Sequence, residues 1–108
     1  MLDGLPAPVV VYVRWNSRNV EVPMPVKVLI MPSAERDMRS LDRVAARRVA
    51  AKLRAVQTAG RVGGDVKRLT GQPPRFRLRV GDYRVLFTVG SDTIRVYRIV
   101  HRREAYDR

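Results

Sequence analysis

The chain has 108 residues, 45% of them hydrophobic, and carries 22 Lys and Arg against 10 Asp and Glu, a formal net charge of +12. That length supports one domain with a single core, and that hydrophobic share argues against a disordered tail. The absence of cysteine excludes disulfides and thiolate zinc sites, a single histidine argues against a histidine metal site, and no apolar run approaches the ~20 residues of a membrane span.

Val9–Val13 is too short for a signal-peptide core and Met1–Pro8 has no basic leader, so a cytoplasmic protein is expected. The charge excess favours an anionic partner, nucleic acid or an acidic protein. Arginine outnumbers lysine so heavily that part of the excess also reads as genome composition.

Residues 1–25 are punctuated by Pro6, Pro8, Pro23 and Pro25 and read as an N-terminal extension to a domain over residues 26–108. Within the extension, the β-branched and aromatic run Val9–Asn16 predicts a strand, Asn16–Asn19 a turn and Asn19–Val22 a short return strand. A flexible arm, or a true start at Met24, is the alternative. Trp15 is expected to pack within this extension.

Val26–Met31 predicts a compact strand ended by Pro32. Ser33 is placed to cap a helix with Glu35 and Asp37 in its first turn, where carboxylates suit the helix dipole. A second helix is expected from near Ser40 to about Thr58. Leu41, Ala45, Val49 and Leu53 recur at i, i+4, with Val44 and Val56 beside them, and Gly60 is a natural stop. An αα-hairpin bending near Ser40–Asp42 follows. Gly60–Asp65 and Gly71–Pro74 read as loops flanking a short extended piece, VKRLTG.

Three strands close the chain: Arg75–Val80, Tyr83–Val89 and Thr93–Val100, joined by the short turns Gly81-Asp82 and Gly90–Asp92, hence an antiparallel meander. The predicted fold class is α+β: an N-terminal strand, an αα-hairpin and a three-stranded meander, with helices on one sheet face. Arg75, Arg77 and Arg79 share the strand face opposite Phe76, Leu78 and Val80. Arg84 and Leu86 share a face on the next strand. Strict alternation sets Arg98 with Ile94 and Val96, so the arginine face is expected to be mixed and its groove confined to one end. Such a sheet is suited to a polyanion.

The motifs VKVLIMPSAERDMRSL, VKRLTG, FRLRVGDYRVLFTV and VHRREAYDR, in this order, resemble the RelE/ParE superfamily of type II toxin–antitoxin toxins. The resemblance spans about Val26 to Arg108; the RVGDYRVLF block followed by HRREAY is its most specific part. It implies the fold above and two activities. RelE-like members are ribosome-dependent mRNA endoribonucleases; ParE-like members inhibit DNA gyrase and lack the cleavage residues. Either is neutralised by a cognate antitoxin, and no cofactor or metal is implied.

Carried over by position, the RelE-like pattern matches Arg77, Arg79, Arg84 and Arg102, with Arg103 one place away, and ends on Tyr106. Planar guanidinium groups bind phosphate oxygens bidentately and stay charged, which suits relief of charge at a phosphorane. Those four arginines are therefore expected to hold phosphate, with Arg75, Arg98 and Arg103 as further RNA contacts, and Tyr106 to stack a base or move a proton. The departure from the pattern is arginine where relatives often carry lysine on the first meander strand. Arginine cannot serve as a base, which leaves His101 as the candidate near neutrality, with Glu104 the nearest carboxylate. Three readings follow: an mRNA interferase, a gyrase inhibitor, or a degenerate non-toxic relative.

Overall fold

The computed structural model describes residues 15–22, 25–71 and 74–105. The strand expected from Val9 is thus described only at its end, and Tyr106 lies outside the described residues. The elements are β1 (Trp15–Asn16), β2 (Asn19–Glu21), β3 (Lys27–Ile30), α1 (Pro32–Ser40), α2 (Arg43–Ala59), β4 (Arg61–Gly63), β5 (Asp65–Leu69), β6 (Arg75–Val80), β7 (Tyr83–Val89), β8 (Thr93–His101) and the short α3 (Arg102–Ala105).

A five-stranded sheet, in the order β3-β8-β7-β6-β5, carries the fold. The meander β6-β7-β8 is its antiparallel centre, as expected from the short turns. β3 pairs parallel to β8, Lys27 opposite Thr93 through Ile30 opposite Val96. VKRLTG is more than a short extended piece: β5 runs the length of β6, with Asp65 opposite Arg79, Lys67 opposite Arg77 and Leu69 opposite Arg75. Gly81 opens the β6–β7 turn at φ 59°, a left-handed conformation glycine adopts at no steric cost.

The helices lie on one face of this sheet, over Phe76, Leu78, Val80, Val85, Phe87, Val96 and Ile99, all buried. α2 contributes Val49, Leu53 and Val56, while Val44, expected on the same stripe, is 67% exposed. The helix boundaries differ from expectation for chemical reasons. Pro32 occupies the first turn of α1, where its missing N–H is no loss, and Ser33 does not cap. Its hydroxyl instead donates to the Tyr97 carbonyl at 2.5 Å, fastening α1 to β8. Asp42 is the true cap of α2, its side chain accepting from the Ala45 N–H at 2.8 Å, so the bend falls at Leu41–Asp42. Gly60 stops α2 in the left-handed conformation, as expected.

Gly60–Asp65 is not a plain loop. β4 forms a second, three-stranded antiparallel sheet, β1-β2-β4, with Val20 opposite Val62, both buried. The described part of the extension is therefore a packed hairpin. Further bonds run from the Val22 N–H to the Gly60 carbonyl, from Gly64 N–H to Arg18, and from Val66 N–H to Ser17. Trp15 meets Phe76 edge-on at 6.2 Å between ring centroids.

Candidate functional site

The sheet face away from the helices carries the arginines. Alternation along β5, β6 and β7 brings Asp65, Lys67, Arg75, Arg77, Arg79, Arg84 and Leu86 to this side. On β8 the ladder slips: Leu86 pairs with Arg98 and Phe87 with Val96. The extra residue is Tyr97. The slip moves Arg98 off the face of Ile94 and Val96, where strict alternation put it, and onto the arginine face beside Leu86.

These residues enclose an open groove of about 500 Å³, lined by Lys67, Arg68, Leu69, Thr70, Arg75, Arg77, Leu86, Tyr97, Arg98 and Val100. Five of the lining residues are cationic and none is acidic; the carboxylates stand at the rim. Asp65 lies 3.5 Å from Arg77 and 4.0 Å from Arg79. Asp37, on α1, accepts from Arg98 Nε at 2.8 Å and from the Ile99 backbone N–H at 2.8 Å. The hydrogen bond to Asp37 raises the proton affinity of Arg98 above the ordinary arginine range, against a smaller opposing effect of burial. Arg75 leans on the Thr70 carbonyl through Nε and Nη2.

Arg84 sits differently. It is 2% exposed. Its Nη1 donates to the carbonyls of Gly81 at 3.2 Å and Tyr83 at 3.0 Å, and its Nε has no partner. No carboxylate lies within salt-bridge distance among the described residues. The Nε of Arg77 is likewise buried and unpaired. A buried charge without a counter-ion is costly, which applies to Arg84; Arg77 has Asp65 at 3.5 Å but keeps its Nε unpaired.

The expected site residues thus fall into two adjoining groups. Arg75, Arg77 and Arg98 line the groove. Arg79, Arg84 and Arg102 gather at the β6–β7 turn, where Arg102 reaches Asp82 at 3.9 Å and its backbone N–H bonds the Asp82 carbonyl. Arg103 is exposed on α3, outside the groove lining. His101 pairs opposite Tyr83 and so points to the helix side. There its ring meets Tyr83 edge-on at 5.5 Å and its Nδ1 accepts from the Arg103 N–H. The structure does not bring His101 to the arginine face, because one residue of β8 register separates it from Val100, which does line the groove.

Among the groove residues that escaped the sequence reading are Lys67, Arg68 and Tyr97. Lys67 restores a lysine to the arginine face from the neighbouring strand; its parity follows only once β5 is seen to pair with β6. Tyr97 is placed by the irregularity in β8, for which the sequence gives no local signal such as glycine. Among the described residues no group of three acidic, cysteine or histidine side chains could hold a metal, and no helix is long and apolar enough to cross a membrane.

A family model described as the ParE toxin of the type II toxin–antitoxin system parDE matches residues 28–106. The chain belongs to that family, within the RelE/ParE superfamily its motifs resemble. It is 42% identical over 43 residues to Toxin RelE3 of Methanocaldococcus jannaschii, a match covering 40% of this chain and 49% of that protein, so it spans about half the length of this curated relative. Among solved structures, the RelB-RelE antitoxin–toxin complex of Methanococcus jannaschii superposes with a TM-score of 0.64 at 26% identity, covering 73% of this chain and 95% of that one. The archaeal RelE-RelB complex of Pyrococcus horikoshii gives 0.60 at 22% identity, over 73% and 97% of the two chains, which shows the shared fold.

Proposed function

We propose that this toxin is a ribosome-dependent mRNA endoribonuclease held inactive by a cognate antitoxin. One observation carries the reading: Lys67, Arg75, Arg77 and Arg98, from three strands, converge on one groove with no acidic residue in its lining. Such a surface suits a phosphodiester. In the proposed reaction the 2′-hydroxyl gives its proton to water as its oxygen attacks the adjacent phosphorus, the bond to the 5′-oxygen breaks, that oxygen takes up a proton, and a cyclic phosphate and a 5′-hydroxyl result. Guanidinium groups at Arg75, Arg77 and Arg98 offset the charge on the non-bridging oxygens, a form of stabilisation worth about 3 kcal/mol per well-aimed donor. Buried Arg84 extends the positive field to the turn, where the exposed Arg79 and Arg102 hold the neighbouring phosphate. Tyr106 at the end of the motif remains the reading for a proton carrier or base contact.

The ammonium of Lys67 is the one groove group besides the Tyr97 phenol that gives up a proton in ordinary chemistry, which suits it to protonate the leaving 5′-oxygen. A chain of net charge +12 favours an acidic inhibitor, and the similar RelE chains were solved as complexes with RelB antitoxins. Sequencing RNA ends on translating ribosomes after induction tests the reading. Cleavage by the wild type, lost in Arg77→Ala, is expected; intact message with the wild type sinks it.

The second reading, inhibition of DNA gyrase, is favoured by β6 itself, which offers only arginines, Arg75, Arg77 and Arg79, on the arginine face. Supercoiling by purified gyrase, blocked at micromolar toxin while message stays intact, would select it.

A further inference from the structure

β8 departs from a regular ladder at one place. Tyr97 has no partner on β7, because Leu86 pairs with Arg98 and Phe87 with Val96. Bulges of this kind re-aim the side chains around them. Here two consecutive residues, Tyr97 and Arg98, both line the groove, where regular alternation sends one of them to the helix side.

The tyrosine is half-buried. Its backbone carbonyl is bound by Ser33, while its hydroxyl has no hydrogen-bond partner among the described residues. A tyrosine kept only for packing usually buries its ring or anchors its hydroxyl. Beside it, Leu86 and Val100 give the same part of the groove an aliphatic floor. Lys67 and Arg77 stand on the opposite wall and floor, up to three strand spacings away, about 14 Å between the β5 and β8 backbones.

The groove therefore presents two chemistries side by side: the Tyr97 ring with Leu86 and Val100 on β8 and β7, and cations on either side of Leu86, Arg98 on β8 and Lys67, Arg75 and Arg77 on β5 and β6. A nucleotide carries the same two, a flat apolar base and a charged phosphate. An acidic protein segment would satisfy the cations but leaves the ring without a task. We propose that Tyr97 is the stacking platform for the base of the nucleotide whose phosphate is held by Arg77 and Arg98. This rests on the RNA reading above and assigns the residue that takes the base. Since every base offers a π face, Tyr97 raises affinity with little sequence preference.

The test is binding of a short single-stranded 2′-O-methyl RNA, whose attacking hydroxyl is blocked, against the same oligonucleotide with a central abasic position. Wild type and Tyr97→Phe are expected to prefer the intact RNA about tenfold, within the range for base–aromatic stacking. Tyr97→Leu should bind the two alike, with an unchanged melting temperature; Tyr97→Met serves if the leucine variant folds poorly. A leucine or methionine variant that keeps the preference overturns the proposal, as does a wild type that shows none or binds neither RNA. The assay needs no cleavage. A wild type that reads the base yet leaves message intact on ribosomes refutes the nuclease reading alone, and one that cuts message while Tyr97→Leu keeps the preference refutes this proposal alone.

Discussion

Lys67 stands directly opposite Arg77 across the β5–β6 ladder, and both side chains line the groove. This pairing supplies what β6 lacks. Its own groove-facing residues are arginines, which hold charge but exchange no proton near neutrality. The neighbouring strand sets an ammonium within a cross-strand spacing of them. Charge stabilisation and proton transfer are thus divided between two strands.

That division predicts different outcomes for two substitutions at one position. Lys67→Ala should lower single-turnover cleavage on ribosomes about 100-fold, the lower range for general acid–base catalysis. Lys67→Arg should restore affinity for ribosome-bound message but not the rate. An arginine variant that cuts at the wild-type rate would show that Lys67 contributes charge only.

Asp37 makes a separate prediction about the opposite wall. Its carboxylate accepts from both Arg98 and the Ile99 backbone N–H, tying α1 to the edge of β8 beyond the end of β3. Asp37→Ala leaves that N–H and the arginine unpaired and should cost about 2 kcal/mol in urea unfolding. Asp37→Asn keeps an acceptor and should cost about half as much. Folding raises the proton affinity of Arg98. Its contribution is therefore complete below the ordinary arginine range and lost only as pH climbs above it. The stability difference between wild type and Asp37→Asn should accordingly show no dependence on the Arg98 proton from pH 6 to 9, roughly four units below that range. A difference that grows toward pH 9 would contradict the assignment.

What the sequence disclosed follows from how local each signal is. The meander was legible because Gly81-Asp82 and Gly90–Asp92 are short turns between alternating runs, and the stop of α2 because Gly60 alone tolerates the left-handed cap. The partner of β3 and the second sheet were not, since each joins segments far apart in the chain, Lys27 to Thr93 and Val20 to Val62; β5 is near β6 in sequence, but the Gly-Pro-containing connection Thr70–Pro74 gives no short-turn signal for their pairing. For the site, the arginines of β6 were legible from period-two alternation. Strict alternation puts Arg98 on the face of Ile94 and Val96 because a bulge shifts parity without a sequence mark, and that same shift hides Tyr97. Residue type alone makes His101 the candidate base, whereas register sets it on the helix side.

The hairpin preceding the family region carries a stability prediction. Val20 and Val22 are buried, and β2 is the ladder partner of β4. A variant beginning at Met24 removes both valines and exposes Val62. At about 1.5–3 kcal/mol for each buried side chain of this size, the loss should be at least about 3 kcal/mol in denaturant unfolding. An unchanged midpoint would mean that the hairpin contributes nothing to the fold.

Arg84 predicts a conflict between stability and activity. It is 2% exposed, with its Nε unpaired and no carboxylate within salt-bridge distance among the described residues. A desolvated charge with incomplete hydrogen bonding destabilises a fold, and an apolar residue of similar volume is often neutral or better by about 1–4 kcal/mol. Arg84→Met loses the bonds to the Gly81 and Tyr83 carbonyls, which offsets part of that gain. Its stability should therefore equal or exceed the wild type's by about 1–2 kcal/mol in chemical denaturation. Growth arrest on induction should nonetheless be lost, because the field that draws phosphate to the turn is removed. Arg77→Met is the contrast: its partner Asp65 is half-exposed, so its stability should change by less than about 1 kcal/mol while cleavage falls. If Arg84→Met instead unfolds early, the guanidinium is a brace for the β6–β7 turn, and its burial carries no functional meaning.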